Sequence, residues 1–298
     1  MSEHHDHTPP ESALRLAIVV GLNFLITAAE IIGGLLSGSL SLLSDALHNF
    51  SDGIAVIIAW IALRLDQRPR TERHTFGLKR AQLLAAVVNA GALVAISLYL
   101  FFEAWHRFQH PQAIAGVTMT SVAAIGLVAN VLGTWLLHRG SQRNMNLRAA
   151  YLHLFSDAIS SIGVILGGLA ITFYDVNWLD PLLTVLIGLY VLKASLAILW
   201  RALEVFLLAT PREVSVAAVR EALRALPGVR DVHHIHLWEL AEHDIHLEAH
   251  VVVDDQPLSG VEAIRLAIER EMARRFDIHH TTLQFEHPGA ACATADYA

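Results

Sequence analysis

The sequence predicts a membrane protein: an all-α bundle of six transmembrane helices followed by a soluble α+β domain. Of the 298 residues, 54% are hydrophobic and 16% are charged, and the mean hydropathy is +0.46, which is too apolar for a soluble chain of this length. The apolar excess is confined to the first two thirds of the chain. From residue 210 onward, charged residues return and helix and strand periods alternate.

Six apolar segments each have about the 20 residues that a helix needs to cross a bilayer. They cover residues 13–36, 40–63, 81–105, 117–137, 147–173 and 179–200. The first segment is too long for a signal peptide and lacks a small-residue cleavage site, so we expect it to remain in the mature protein.

The positions of the basic residues predict the orientation, because cytoplasmic loops retain lysine and arginine. The connection between the second and third segments is rich in them: Arg64, Arg68, Arg70, Arg73, Lys79 and Arg80. The connection between the fourth and fifth segments adds Arg139, Arg143 and Arg148, whereas the first-to-second and fifth-to-sixth connections contain none. Both termini are therefore predicted to be cytoplasmic.

Cysteine content and charge narrow the function classes further. The chain has one cysteine, Cys292, so there is no disulfide framework and a reducing compartment suits the soluble domain. The formal net charge of -7 argues against nucleic acid as a partner.

A short polar motif occurs twice inside the apolar segments. Residues 47–52 read LHNFSD, and residues 152–157, about 105 positions later, read LHLFSD. Residues at i and i+4 lie on one face of a helix, so each segment presents an imidazole and a carboxylate together. Facing each other, His48, Asp52, His153 and Asp157 would supply two nitrogens and two oxygens, a tetrahedral ligand set for a divalent metal such as zinc.

Depth in the bilayer supports this pairing, since a helix rises ~1.5 Å per residue and the hydrocarbon is ~30 Å thick. His48 and Asp52 fall roughly 12 and 18 Å from one surface, and His153 and Asp157 fall roughly 9 and 15 Å from the other. Both pairs lie near the midplane on antiparallel helices. The two three-helix halves therefore have the pattern of an inverted repeat, which often places a substrate site between them.

The proposed ligands also predict a mechanism. A divalent cation, two carboxylates and two neutral imidazoles sum to zero charge, which is the least costly metal site to hold in hydrocarbon. Metal and protons compete for the same groups, so a proton gradient could load or empty the site. The alternative is that these residues only join helices by hydrogen bonds. Two copies with the same spacing and depth favour a metal site.

Four other polar residues in the segments carry weaker signals. Asn89 and Asn130 are expected to form packing hydrogen bonds. Asp180 lies near a helix start, where an acidic group interacts favourably with the helix dipole. Glu30 is either a proton-relay group or a structural one.

The final third of the chain predicts a small α+β sandwich of about 75 residues, ferredoxin-like or metallochaperone-like, with one sheet face covered and one free. The periods give a helix at 216–226, strands at 229–240 and 245–253, a helix at 261–272 and a strand at 278–286. The predicted domains are accordingly a tail at 1–12 with several histidines, the membrane domain at 13–208, the cytoplasmic domain at 209–288 and a disordered tail at 289–298.

Histidine is dense in the cytoplasmic domain, with nine between positions 233 and 287. For any one of them, a solvated strand face is a sufficient explanation. Taken together they predict a second metal site that uses some of His233, His250, His279 and Glu286. Near the amino terminus, His4, His5 and His7 either capture metal weakly or belong to a tail without function.

This combination resembles the cation diffusion facilitator family of divalent-metal exporters. The motif from Asp45 to Asp52 resembles the family's second span, and His153 to Asp157 resembles its fifth. The resemblance covers nearly the whole chain. It implies a transport site of His48, Asp52, His153 and Asp157 of the zinc-preferring type, with Asp45 as an approach or relay residue.

The resemblance also implies how the protein works. Family members are homodimers that exchange metal for protons and use the cytoplasmic domain to dimerise and to sense metal. In this sequence the sensing zinc site would be His233, His250, His279 and Glu286. A prokaryotic inner membrane and export from the cytoplasm are implied as well, with zinc as substrate and regulatory ligand and protons as counter-ion.

The sequence also bears on functions other than metal-for-proton exchange. A membrane metalloenzyme would need an open coordination position and a general base, for example on an HExxH helix, and the sequence has none. We therefore expect a secondary transporter and no enzyme. A divalent metal channel and a metal-gated membrane sensor stay open as alternatives. Cadmium, cobalt and nickel stay open beside zinc, because the same ligands accept each of them.

Overall fold

A computed structural model describes residues 10–141, 145–241 and 243–289. Most of the two predicted tails, including the amino-terminal histidines and Cys292, lies outside these residues. Six long helices come first: α1 (Pro10–Ser37), α2 (Leu40–Asp66), α3 (Ala81–Gln109), α4 (Gly116–Ser141), α5 (Met145–Tyr174) and α6 (Leu179–Phe206). The soluble elements follow: α7 (Val216–Arg224), β1 (Val229–Glu239), β2 (Ile245–Val253), α8 (Leu258–Phe276) and β3 (His280–Glu286).

The helices confirm a multi-pass membrane protein. Among the described residues, α2 to α6 each contain a stretch long and apolar enough to cross a bilayer, and the part of α1 from Gly21 to Ser37 is a shorter apolar helix. Several helices continue past the predicted apolar segments, for example to Asp66 in α2 and to Phe206 in α6. Arginine, glutamate and lysine are good helix formers, so a helix does not have to end where the hydrocarbon ends.

The chain forms two compact units. One contains the described residues up to Trp60 together with Val88–Ile198, and the other contains Ile61–Val87 together with the described residues from Leu199 onward. The connection between α2 and α3 therefore packs with the soluble domain.

In the first unit, α4 lies along α5. Gly116 and Gly168 allow this close approach, because a Cβ atom on either would collide with the neighbouring helix. Leu42, Met119 and Val164 are fully buried beside this contact, which joins the start of α2 to α4 and α5.

The beginning of α2 is fixed by a residue of another helix. The chain turns out of α1 through Gly38, whose φ of +72° favours glycine. Asp180, in the first turn of α6, then accepts hydrogen bonds from Leu40 N at 2.7 Å, Ser41 N at 3.1 Å and Ser41 Oγ at 2.6 Å. Ser39 Oγ adds a fourth at 2.6 Å. Asp180 is fully buried, so it satisfies backbone donors that the first turn of a helix leaves without partners.

The soluble domain has the predicted order of helix, strand, strand, helix, strand. Its sheet order is β1-β2-β3, with β1 and β2 antiparallel and β2 and β3 parallel. The helices α7 and α8 cover one face with a mostly aliphatic core, made chiefly of Val219, Leu223, Val232, Leu237, Leu247, Val251, Ile264, Ile268 and Met272. Odd-numbered residues of β2 point into this core, so its even-numbered residues occupy the open face.

The ladder between β1 and β2 contains a bulge. His233 pairs with His250 and His236 pairs with Glu248, so β1 advances three residues while β2 advances two. The extra residue in β1 leaves both His233 and His236 on the open face. His234, inside the bulge, has a φ of +49°.

Candidate metal centres

The two copies of the membrane motif come together between α2 and α5. Within α2, His48 Nε2 lies 3.5 Å from Asp52 Oδ2. Within α5, His153 Nε2 lies 3.4 Å from Asp157 Oδ2. His153 Nε2 is also 3.6 Å from Asp52 Oδ2, which joins the two helices, and the two imidazole rings meet edge to face with centroids 6.1 Å apart.

These separations match a tetrahedral zinc site. Zinc binds imidazole nitrogen and carboxylate oxygen at about 2.0–2.2 Å, so neighbouring ligand atoms in a tetrahedron lie about 3.3–3.5 Å apart. The three measured distances of 3.4 to 3.6 Å fall close to this value. His48, His153 and Asp157 each offer a ligand atom within 4.8 Å of the others, and Asp52 contacts both histidines.

Neutral polar side chains and further acids surround the four predicted ligands. Asn49 Nδ2 donates to Glu30 Oε2 at 3.1 Å, and Ser160 Oγ donates to Asp45 Oδ1 at 2.9 Å. Glu30 and Asp45 are both buried. Two additional carboxyl groups thus lie in the apolar interior next to the candidate site, where an ionised carboxylate without a cation is costly.

In the soluble domain, three of the four predicted ligands come together on the open face of the sheet. Glu286, at the end of β3, places Oε1 2.8 Å from His250 Nδ1 and Oε2 3.1 Å from His233 Nε2. The two histidines are cross-strand partners with ring centroids 5.4 Å apart. We call His233, His250 and Glu286 the trio. Its ligand atoms lie within 4.8 Å of one another.

His279 is not brought into the trio. It is exposed, and its Nε2 lies 2.8 Å from Asp277 Oδ1. Asp277 ends α8 in the left-handed conformation, with a φ of 56°, and turns the chain toward β3. Its role as a ligand stays a prediction.

Three features of these regions were not predicted. Asp180 caps α2 in addition to lying at the start of its own helix. Lys79, between α2 and α3, pairs with Asp244 at 2.5 Å. His234 and His236 stand side by side on the sheet face, with Nε2 atoms 3.3 Å apart. The dense histidines were a visible signal, but the bulge that groups them is not readable from strand alternation.

Comparison with known proteins identifies the family. Residues 16–207 match the cation efflux transmembrane domain, and residues 211–288 match the cytoplasmic domain of cation efflux proteins. The chain belongs to the cation diffusion facilitator family. This member of the family is therefore a metal cation transporter and not an enzyme.

Curated relatives match over nearly their full lengths. The zinc transporter ZitB of Pectobacterium atrosepticum is 39% identical over 292 residues, which is 96% of this chain and 89% of that protein. A cadmium, cobalt and zinc/H(+)-K(+) antiporter of Bacillus subtilis is 35% identical, covering 96% of this chain and 92% of the relative. The metal cation efflux system protein CzcD of Cupriavidus metallidurans is 36% identical, covering 100% and 94%.

Solved structures also match, among them one of a soluble domain. It is the metal-bound C-terminal domain of the CzcD transporter from Cupriavidus metallidurans, 36% identical, which covers 24% of this chain and 99% of that one with a TM-score of 0.23.

Proposed function

We propose that this transporter exports divalent cations, zinc foremost, from the cytoplasm in exchange for protons. In this proposal the cation binds between α2 and α5 at a site made of His48, Asp52, His153 and Asp157. The protein would act as a homodimer in the cytoplasmic membrane with both termini in the cytoplasm.

One observation carries the proposal: imidazole and carboxylate atoms of α2 and α5 lie 3.4 to 3.6 Å apart, the spacing of a tetrahedral zinc site. Three of the four side chains are only half-buried, whereas Asp157 is buried. An ion entering the site would therefore exchange its water for protein ligands step by step. Relatives named for the transport of zinc, cadmium and cobalt agree with this ligand chemistry.

Proton exchange follows from the ligands themselves. Zinc requires neutral imidazoles and ionised carboxylates, so each proton that binds to His48, Asp52, His153 or Asp157 opposes the metal. Loading from a proton-poor side and release toward a proton-rich side then couples the two fluxes. Glu30 and Asp45, both buried beside the site, are candidates for carrying protons to and from it.

The trio on the cytoplasmic sheet is proposed as the regulatory zinc site. His233, His250 and Glu286 provide three ligand atoms, and a tetrahedral ion takes four. His279 is retained as the proposed fourth ligand. Binding there would report the cytoplasmic zinc level to the transporter.

Zinc uptake into proteoliposomes tests the transport proposal. The purified protein is reconstituted in vesicles that carry a pH gradient and an internal zinc dye. The wild type is compared with Asp52→Ala and Asp157→Ala, and Asp175→Asn serves as a matched control at an exposed acid outside the site. We expect gradient-dependent zinc flux in the wild type and the control, and a loss of at least 100-fold in both site variants.

Two outcomes would contradict the proposal. Equal flux in all four proteins would mean that the duplicated motif is only structural. Rapid zinc flux that does not depend on the pH gradient but is lost in the site variants would indicate a divalent metal channel instead of an exchanger.

A further inference from the structure

We propose that His234 and His236 form a second metal site on the open face of the cytoplasmic sheet, beside the trio. The site would take a zinc-like divalent cation, the class of ion that imidazole nitrogen prefers. This inference does not depend on the transport mechanism, because it concerns binding to the soluble domain alone.

The spacing of the two nitrogens is the first argument. His234 Nε2 and His236 Nε2 are 3.3 Å apart, and the two rings are perpendicular with centroids separated by 4.6 Å. Two imidazoles bound to one tetrahedral zinc at 2.0–2.1 Å hold their nitrogens about 3.3–3.4 Å apart. We call His234 and His236 the pair. Its two nitrogens thus already have the separation that a shared zinc ion requires.

The backbone supplies the second argument. In a regular strand, successive residues point to opposite faces, and His234 would lie on the opposite face from His233. The bulge removes this alternation, and His234 adopts a φ of +49°, which is uncommon for a residue other than glycine. Strained backbone of this kind is concentrated at functional sites. Here it places two imidazoles in contact on one face.

The surroundings allow a cation. Glu248 is the cross-strand partner of His236 and contributes negative charge on the same face. His236 is exposed, so water can complete the coordination. The ring of His234 lies 4.6 Å from that of His250, a member of the trio. An ion on the pair would therefore stand close to an ion on the trio, and mutual repulsion makes us expect weaker binding at the pair.

A hydrogen bond between two neutral imidazoles, one donating and one accepting, would give the same 3.3 Å separation without any metal. Counting bound zinc separates these explanations. The full chain in detergent is used with Asp52→Ala and Asp157→Ala as background, so that the membrane site does not contribute. Zinc chloride is titrated by equilibrium dialysis, with metal and protein quantified together.

Four variants are made in this background, one of which is His236→Gln alone. His234→Asn with His236→Gln removes the pair, and asparagine tolerates the left-handed conformation. Glu286→Gln weakens the trio. His287→Gln, an exposed histidine just after β3, is the matched control. In the background protein we expect two zinc ions per soluble domain, one bound tightly and one bound weakly. The double variant should lose the weakly bound ion, and Glu286→Gln should weaken binding of the tightly bound ion at least tenfold. The control should bind both ions as the background protein does.

The comparison between variants decides the question, because any zinc left in the membrane domain would be common to all of them. Retention of both ions in the double variant would overturn the proposal. A stoichiometry of one ion per soluble domain in the background protein, with that ion still bound in the double variant, would overturn it too. Loss of both ions in the double variant and also in His236→Gln alone would overturn it as well, since the pair and the trio would then be one site. The retained tighter ion shows that the variant is folded.

Discussion

The Asp180 carboxylate lies 2.6 Å from Ser41 Oγ, so a side chain of α6 closes the first turn of α2. The same carboxylate accepts from two backbone amides of that turn. Arg107, which reaches to 4.0 Å from Asp180, also donates to the carbonyl of Gly38. The helix that carries His48 and Asp52 is thus anchored about two turns before the candidate site.

Replacing Asp180 with asparagine should weaken this anchor. The amide keeps one acceptor oxygen and loses the negative charge at the helix start, and a hydrogen bond to a charged group is worth about 1.5–3 kcal/mol. We expect thermal unfolding in detergent at a lower temperature, together with a tenfold or greater loss of zinc transport. Asp175→Asn, in the exposed connection before α6, should change neither. Normal transport and stability in Asp180→Asn would show that the anchor is dispensable.

Ligand type at the membrane site should control metal preference. His153→Asp exchanges an imidazole for a carboxylate, and carboxylate oxygen suits manganese better than imidazole nitrogen does. The ratio of zinc to manganese uptake in proteoliposomes should fall at least tenfold relative to the wild type. If His153→Asp lowered zinc uptake and manganese uptake by the same factor, His153 would be needed for structure and not for selectivity.

His246 should make the soluble domain sensitive to acid. Burial, followed by the nearby His280 imidazole and Lys79, lowers the pKa of His246, while Asp244 opposes the shift. The unfolded chain, in which His246 regains an ordinary pKa of about 6.5, therefore binds more protons than the folded one. The stabilisation is complete above that pH and is lost as the pH falls below it. With zinc chelated, the amides of β2 should exchange faster at pH 5.5 than at pH 7.5 after correction for intrinsic rates.

His246→Phe is the matched control for this pH effect. Phe76 and Trp238 already contact the imidazole with ring centroids 5.9 and 5.5 Å away, so another aromatic ring fits the surroundings. The variant should show a smaller change in β2 exchange between the two pH values. An unchanged pH response would assign the effect to another histidine.

The ion pair between Lys79 and Asp244 links the connection before α3 to the turn between β1 and β2. Both side chains are partly exposed, so solvent screening limits the pair to about 0.2–1 kcal/mol. A double-mutant cycle with Lys79→Met and Asp244→Asn should give a coupling energy in this range, measured by thermal unfolding, that decreases in 0.5 M salt. A coupling energy of zero at low salt would mean that the two side chains do not interact in solution.

Much of this fold can be predicted from the sequence because its signals are local. A run of about 20 apolar residues predicts a membrane helix by length alone, and the alternation from Ile245 to Val253 predicts a strand with one buried face. The predicted ends of the helices were less accurate. Residues 64–66 continue α2 and residues 201–206 continue α6 beyond the apolar segments, because a helix does not have to end where the apolar run ends.

The candidate sites were predictable where spacing along one helix is sufficient. His48 and Asp52 share a helix face, and so do His153 and Asp157, whichever helices pack around them. Contacts that depend on tertiary structure could not be derived in this way. The cap on α2 comes from Asp180, about 140 residues away, and the position of His279 depends on how α8 ends.

The bulge in β1 has a consequence for how the strand could vary. From Asp231 to the bulge, odd-numbered residues such as His233 face the open side, and beyond the bulge even-numbered residues such as His236 do. Removing one residue at position 234 would restore alternation from Asp231 to Glu239 and leave every other side chain of that stretch on its present face. His234 is thus a one-residue insertion whose loss would leave the core-facing residues on either side of it in place, so the number of imidazoles on this surface can change while the fold that supports them stays the same.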